Sequence, residues 1–229
     1  MKTQSASGCL QAFTRTELAV IIAIASLVAI VLPGAFVRAK HREQISVCAN
    51  NLHQIGVALS AYIGDSTESA LTNSETLKLL GSGKAYVWWQ ALSNGLSAPK
   101  FLYCPADTGR TAATDFITGF SDANISYFFN MDVWDHSMNQ PVQGDHSLSR
   151  PDQILDGDDD LAVNGIRVKP GILNRPTSGS LAWTKERHDG VGNIGTADGS
   201  VNAYASGGVN SAILDAGNGA TNTLRLVIP

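Results

Sequence analysis

The sequence predicts an α+β protein in which one long N-terminal helix is laid against a small antiparallel sheet. Three observations carry that expectation. Leu18 to Leu32 reads LAVIIAIASLVAIVL, without a charge. An apolar stripe at helical spacing continues to Tyr62, and short apolar segments separated by Gly, Pro, Asn and Asp follow it. The 229 residues suit one modest domain with an appendage. Only 16% of them are charged, below the roughly 25% usual for soluble domains, and those charges are unevenly placed.

The apolar run extends through Pro33, Gly34 and Ala35-Phe36-Val37, so Leu18 to Val37 is long enough to cross a bilayer as a helix. A buried core helix would show a polar face, whereas this stretch is apolar all round. A cleaved secretory signal would stop after its apolar region. Here Ile45, Cys48, Leu52, Ile55, Leu59 and Tyr62 recur at spacings of three and four, with Glu43, Gln44, Asn50, Asn51, His53 and Gln54 on the other faces. The pattern predicts one helix from about Thr14 to about Ile63, roughly 75 Å long, kinked where Pro33 removes a backbone donor. Its first half suits lipid and its second half suits packing on a soluble body. Glu17 stands at the start of the apolar run. It is either an interfacial acid favoured by the helix dipole or one half of an ion pair inside a low-dielectric layer.

Residues 1–45 carry five basic and two acidic side chains, leaving 11 basic and 18 acidic from Ser46 onward. An acidic body argues against nucleic acid or anionic lipid as its partner. Within it, Glu75 to Leu80 reads as a short helix and Val87-Trp88-Trp89-Gln90-Ala91-Leu92 as an apolar patch, one Trp facing in and one out if extended. Ile125 to Phe129, Ile166 to Val168, Ser180 to Thr184 and Gly192 to Ala205 read as strands bounded by turn residues. Trp88, Trp89, Trp134 and Trp183 are expected to pack rather than to form a sugar-stacking platform.

Ala12-Phe13-Thr14-Arg15-Thr16-Glu17-Leu18, leading into the apolar run, resembles the processing site of type IV pilins and type II secretion pseudopilins. Further segments are similar to a bacterial pseudopilin-like family: Cys48-Ala49-Asn50-Asn51-Leu52 with Gln54-Ile55-Gly56, Phe101-Leu102-Tyr103-Cys104-Pro105-Ala106-Asp107, and Ser126-Tyr127 to Asn130. His188, then nine residues, then Asp198-Gly199, resembles the signature of the prepilin-type H-X9-DG proteins.

The resemblance implies a pilin-like fold with residues 1–12 as leader, 13–37 as membrane half-helix, 38–64 as amphipathic half-helix and 65–229 as exported body, its H-X9-DG segment at 188–199. It implies cleavage by a prepilin peptidase between Ala12 and Phe13, and N-methylation of Phe13 from S-adenosylmethionine. Ala12 stands where family members prefer glycine, and Lys2 is the leader's single basic residue. Glu17 would pair with the Phe13 amine of a neighbouring subunit. Lys2 and Arg15 before the span, against Arg38, Lys40 and Arg42 after it, do not fix an N-terminus-inside orientation. The resemblance fixes it, with the body outside the cytoplasmic (inner) membrane, there or in a periplasmic or surface filament.

Loss of Cys9 with the leader would leave Cys48 and Cys104, either a disulfide joining helix to body or two buried thiols. Without C-x-x-C or a thiol cluster, the spacing supports neither a zinc site nor a redox motif. His188-Asp189-Gly190 with Asp198-Gly199 reads as a hairpin in which His188 hydrogen-bonds turn backbone or Asp198. A metal or catalytic role is the competing reading. The run Asp156-Gly157-Asp158-Asp159-Asp160 reads as a solvated loop. It is no EF-hand, since Leu161 and Arg167 occupy the glycine and glutamate positions. Because major pseudopilins hold calcium in a C-terminal loop, Asp156, Asp158 and Asp160 remain candidate calcium ligands.

No G-x-S-x-G elbow is present, and no catalytic residues or cofactor beyond that calcium are expected. The function implied is a structural, non-enzymatic subunit whose partners are prepilin peptidase, other pseudopilin subunits and the inner membrane, with no nucleic acid. The competing class is a single-pass exported module that captures calcium, glycan or a secreted protein without forming filaments.

Overall fold

The computed structural model describes residues 14–65, 81–131, 151–174, 180–216 and 224–229. The expected leader at residues 1–12, Phe13, the expected helix at Glu75 to Leu80 and Trp134 lie outside the described residues. Two compact units are present, Met1–Arg42 and Glu43–Pro229.

Helix α1 runs Arg15–Asp65 through Pro33, matching the helix expected from the periodicity. In the first unit every side chain from Thr14 to Lys40 is exposed, including Leu18, Ile22, Leu27, Ile30 and Phe36. This is a single N-terminal helix long and apolar enough to cross a membrane.

The second unit is built on antiparallel strands. Its larger sheet has six strands in the order β5-β9-β1-β2-β7-β8, comprising β1 Tyr127–Asn130, β2 Ile154–Asp158, β5 Gly171–Asn174, β7 Val191–Thr196, β8 Val201–Ala205 and β9 Arg225–Ile228. A three-stranded sheet, β4-β3-β6, comprises β3 Leu161–Val163, β4 Ile166–Arg167 and β6 Leu181–Trp183. Helices α2 (Ala85–Ala91) and α3 (Ser206–Ala216) complete the described regular elements, with 3-10 turns at Pro99–Leu102 and Asp122–Asn124.

Side chains of β1 separate two cores, because successive residues of a strand face opposite ways. Tyr127 and Phe129 enter one with Cys48, Leu52, Ile55 and Leu59 of α1 and Trp88 and Trp89 of α2. Phe128 enters the other with Leu161, Trp183, Ile194 and Val209. The sheet is thus covered by helix on one face and by the small sheet and α3 on the other. Phe129 holds the first core together, its ring centroid 4.6 Å from Trp88 and 5.8 Å from Trp89 in tilted and edge-on contacts. Two aromatics of the second core lie directly over glycine. A Cβ on Gly157 would come within 2.5 Å of Phe128, and one on Gly192 within 2.6 Å of Trp183.

Several expectations need correction. Trp88-Trp89 lies on helix α2, with both rings buried, because the short segment packs its Trp pair under α1 and β1 instead of pairing as a strand. Residues 156–160 are buried throughout and are no solvated loop. Asp156-Gly157-Asp158 belongs to β2, in the middle of the larger sheet, where ladder pairing to β1 and β7 overrides the turn preference of Asp-Gly. A bulge between Ile154 and Asp156 accompanies this, and Leu155 joins the helix-side core while Ile154 joins the other.

Candidate functional site

Thr14 and Glu17 form a capping box at the start of α1. The Glu17 carboxylate accepts from the Thr14 backbone N–H and hydroxyl, both at 2.8 Å, and the Glu17 N–H donates to Thr14 Oγ1 at 3.3 Å. Thr14-Arg15-Thr16-Glu17 carries this signal in its T-x-x-E spacing. Glu17 therefore stands at the first exposed turn of the apolar stem, held by local backbone groups that would otherwise lack partners.

The second site lies inside the body, where segments distant in sequence converge on the C-terminal half of α1. Cys48 comes from α1, Cys104 from the loop after the Pro99–Leu102 turn, Asp158 from β2, and His188 from the turn entering β7. All four are buried, and one ligand atom of each lies within 4.8 Å of the others. Cys104 Sγ and His188 Nε2 are 3.3 Å apart. Cys48 and Cys104 are free thiols.

Each member is positioned from outside. Asn51, one turn beyond Cys48, donates to the Tyr103 carbonyl at 3.1 Å and to the Tyr127 hydroxyl at 3.2 Å, fixing α1 against the cysteine-proline segment. Asp158 Oδ2 accepts from the Asn193 N–H at 2.7 Å and from its side-chain amide at 3.0 Å. Asp158 Oδ1 is buried without a hydrogen-bond partner.

His188 follows Arg187, which belongs to a buried ion network. Arg187 pairs with Asp159, lies 3.5 Å from Asp107, and donates to the Ser126 carbonyl at 2.8 Å. Arg110 bridges the same two carboxylates, at 3.0 Å to Asp107 and 2.6 Å to Asp159. The Ser126 hydroxyl adds a 2.9 Å bond to Asp107. Beyond His188, positive φ angles at Asp189 and Gly190 reverse the chain into β7.

The cluster's electrostatics follow from burying several acids together. Hydrogen bonding to Cys104, then burial, pushes the Cys48 thiol up. The reciprocal bond from Cys48 pulls Cys104 down to about 5, against burial and with help from His188. Burial, then the neighbouring Cys104, raises Asp158 to about 6. Burial opposes protonation of His188, but Cys104 and Asp158 outweigh it and hold the imidazole above its ordinary value. Two sulfurs, an imidazole nitrogen and a carboxylate oxygen at this separation are suited either to disulfide formation or to holding a metal ion.

The H-X9-DG residues divide between two tasks. His188 points into the cluster and not toward Asp198, because strand β7 separates them, His188 preceding its start and Asp198 lying in the turn beyond its end. Asp198 shapes the exposed β7–β8 turn, accepting from Thr196 Oγ1 at 2.7 Å and the Ser200 N–H at 2.9 Å. Gly199, at φ 81°, presents its carbonyl to His53 Nδ1 of α1 at 2.8 Å. The signature thus meets α1 twice, through His188 near Cys48 and through Gly199 at His53.

Asp156 and Asp158 lie two residues apart on β2, and Asp160 follows the strand. Asp156 lies against Gly195, where a Cβ would sit 2.1 Å from Oδ1, and burial raises its pKa well above the ordinary value. Asp160 accepts from the Thr184 hydroxyl. Asp158 is turned to the thiols yet close enough to Asp156 on the same strand to raise it further, while Asp160 lies beyond the end of β2. No local sequence pattern marks the ion network or Asn193; Asp107, three residues after Cys104, and Arg187, beside His188, are its signals in the sequence. Ala12 and Phe13 lie outside the described residues. No protein-family model, curated protein or solved structure matches this chain.

Proposed function

We propose that the chain is a structural, membrane-anchored, pseudopilin-like subunit of a type II secretion or type IV pilus-like assembly. Prepilin peptidase cleaves it between Ala12 and Phe13, and the exposed stem of α1 is held in the inner membrane until it packs with stems of other subunits. The observation that carries this reading is the change of character along one helix. Its residues from Thr14 to Lys40 are exposed and largely apolar, whereas Cys48, Leu52, Ile55 and Leu59 are core residues of the body. Lipid can cover such a stem in storage, and neighbouring stems can cover it after assembly. The position of Thr14-Arg15-Thr16-Glu17 supports the reading too, since Thr14 and Glu17 cap the first turn of the apolar helix.

Self-association through the stem is tested with Ile24→Cys, on the exposed face of the span. Oxidative crosslinking in membranes is expected to give covalent dimers through position 24, while Cys48 and Cys104 remain buried. An uncrosslinked chain at native expression would favour a solitary single-pass binding module and defeat the proposal.

A further inference from the structure

We propose that Cys48, Cys104, Asp158 and His188 form a closed, four-ligand structural site for a zinc-class divalent transition-metal ion. The inference concerns the body and stands apart from filament assembly.

The donor set and its geometry point to this ion class. Structural zinc is four-coordinate and tetrahedral, with thiolate sulfur, imidazole nitrogen and carboxylate oxygen as its ligands. Bond lengths of about 2.3 Å to sulfur and 2.0 Å to nitrogen make a tetrahedral S···N edge roughly 3.5 Å. The 3.3 Å between Cys104 Sγ and His188 Nε2 already has that size. The remaining ligand atoms, all within 4.8 Å, need only a short inward contraction. Full burial of all four residues leaves no open coordination position, the mark of a structural rather than a catalytic site. Two thiolates disfavour calcium and magnesium, which take oxygen ligands.

A disulfide uses the same sulfurs but accounts for less of the cluster. It leaves Asp158 Oδ1 buried with no hydrogen-bond partner, an arrangement that costs free energy. A cation supplies that oxygen with a partner and neutralises the thiolates formed as the cysteines release their protons. The surrounding groups are those expected of a supporting shell: Asn193 orients Asp158 through Oδ2, and the Arg187 network fixes the residue preceding His188. Arg187 also acts electrostatically on Asp158, offsetting the negative charge that two thiolates and a carboxylate leave around a divalent ion. Because Cys48 belongs to α1 and the other ligands to the loop, sheet and turn, the ion would fasten the helix to the body from within.

Cobalt(II) reports directly on such a site. The full chain, extracted from membranes in detergent and kept reduced, is titrated with Co2+ and then with Zn2+. One equivalent of Co2+ is expected to give thiolate-to-cobalt charge-transfer absorption together with the intense visible bands of a tetrahedral site, and Zn2+ is expected to abolish both. His188→Cys, which retains a ligand, is expected to keep the stoichiometry and increase the charge-transfer intensity. The paired substitution Cys48→Ala with Cys104→Ala is expected to lose both signals. The wild-type titration decides the matter even where a variant fails to fold. Failure of the reduced wild-type chain to develop the charge-transfer band overturns the proposal. So does native mass spectrometry of unreduced protein showing a Cys48–Cys104 disulfide and no metal.

Discussion

Glu17→Ala is expected to leave the subunit anchored, cleaved and methylated while reducing its incorporation into filaments to background. The carboxylate stands at the first turn of an apolar stem, so packed stems would place it in a medium where an unpaired charge is costly. A charge pair about 4 Å apart is worth roughly 4 kcal/mol at an effective dielectric constant near 20, enough to decide whether a subunit docks. The proposed partner is the amine that cleavage creates on Phe13 of the neighbouring subunit. The capping box supplies a competing, local role, since Glu17 also accepts from Thr14. Glu17→Gln separates the two, because glutamine keeps the hydrogen-bonding capacity of the cap and discards the charge. Both variants are expected to fail in assembly, as read by the subunit content of sheared filaments, with mature protein still present in membranes. Normal incorporation of Glu17→Gln would assign the residue to helix capping instead.

Arg187→Met is expected to produce the largest loss of body stability, about 3 kcal/mol or more, because removing one partner leaves a buried carboxylate short of its charge. A domain with only about 5–15 kcal/mol in hand would be left marginal. Arg110 still reaches Asp159, so the damage should be partial, and Asp159→Asn in the Arg187→Met background should recover part of it. Urea unfolding in detergent, followed by tryptophan fluorescence, measures this because Trp88, Trp89 and Trp183 are buried in the body.

The same network sets an acid limit. Burial opposes ionisation of Asp107, but Arg187, Ser126 and Arg110 outweigh it and hold the carboxyl below its ordinary value. A depressed folded-state pKa contributes stability that is complete above the unfolded value of about 3.9 and disappears as pH falls through the folded value. The network's contribution should therefore be flat near neutrality and fall below about pH 4, more shallowly in Arg187→Met.

Much of the architecture was legible because local patterns and tertiary burial agree. The stripe through Ile45, Cys48, Leu52, Ile55 and Leu59 is the face α1 buries, apart from half-buried Ile45. The alternation of Tyr127, Phe128 and Phe129 marks a strand between two cores, and Asp198-Gly199 marks a hairpin turn. Strand β2 was not legible: its Asp156-Gly157-Asp158, running on into Asp159 and Asp160, is a solvent-facing composition, and only its central place makes the strand buried. Strand β9, Arg225–Ile228, carries only a short apolar signal, and α3, with Gly207 and Gly208 near its start, has little helix propensity to announce it. The cluster lay beyond local reading altogether. Its members come from four separate segments, so no short spacing such as C-x-x-C could mark it, and only the fold brings the sulfurs, imidazole and carboxylate together.

The central claim, that this is a processed pilin-like subunit, is tested most directly by the intact mass of protein extracted from its native membrane. The predicted mass is that of a chain beginning at Phe13 and carrying one N-terminal methyl group. A chain retaining Met1, or one cut after the apolar run so that the stem is lost, would contradict it.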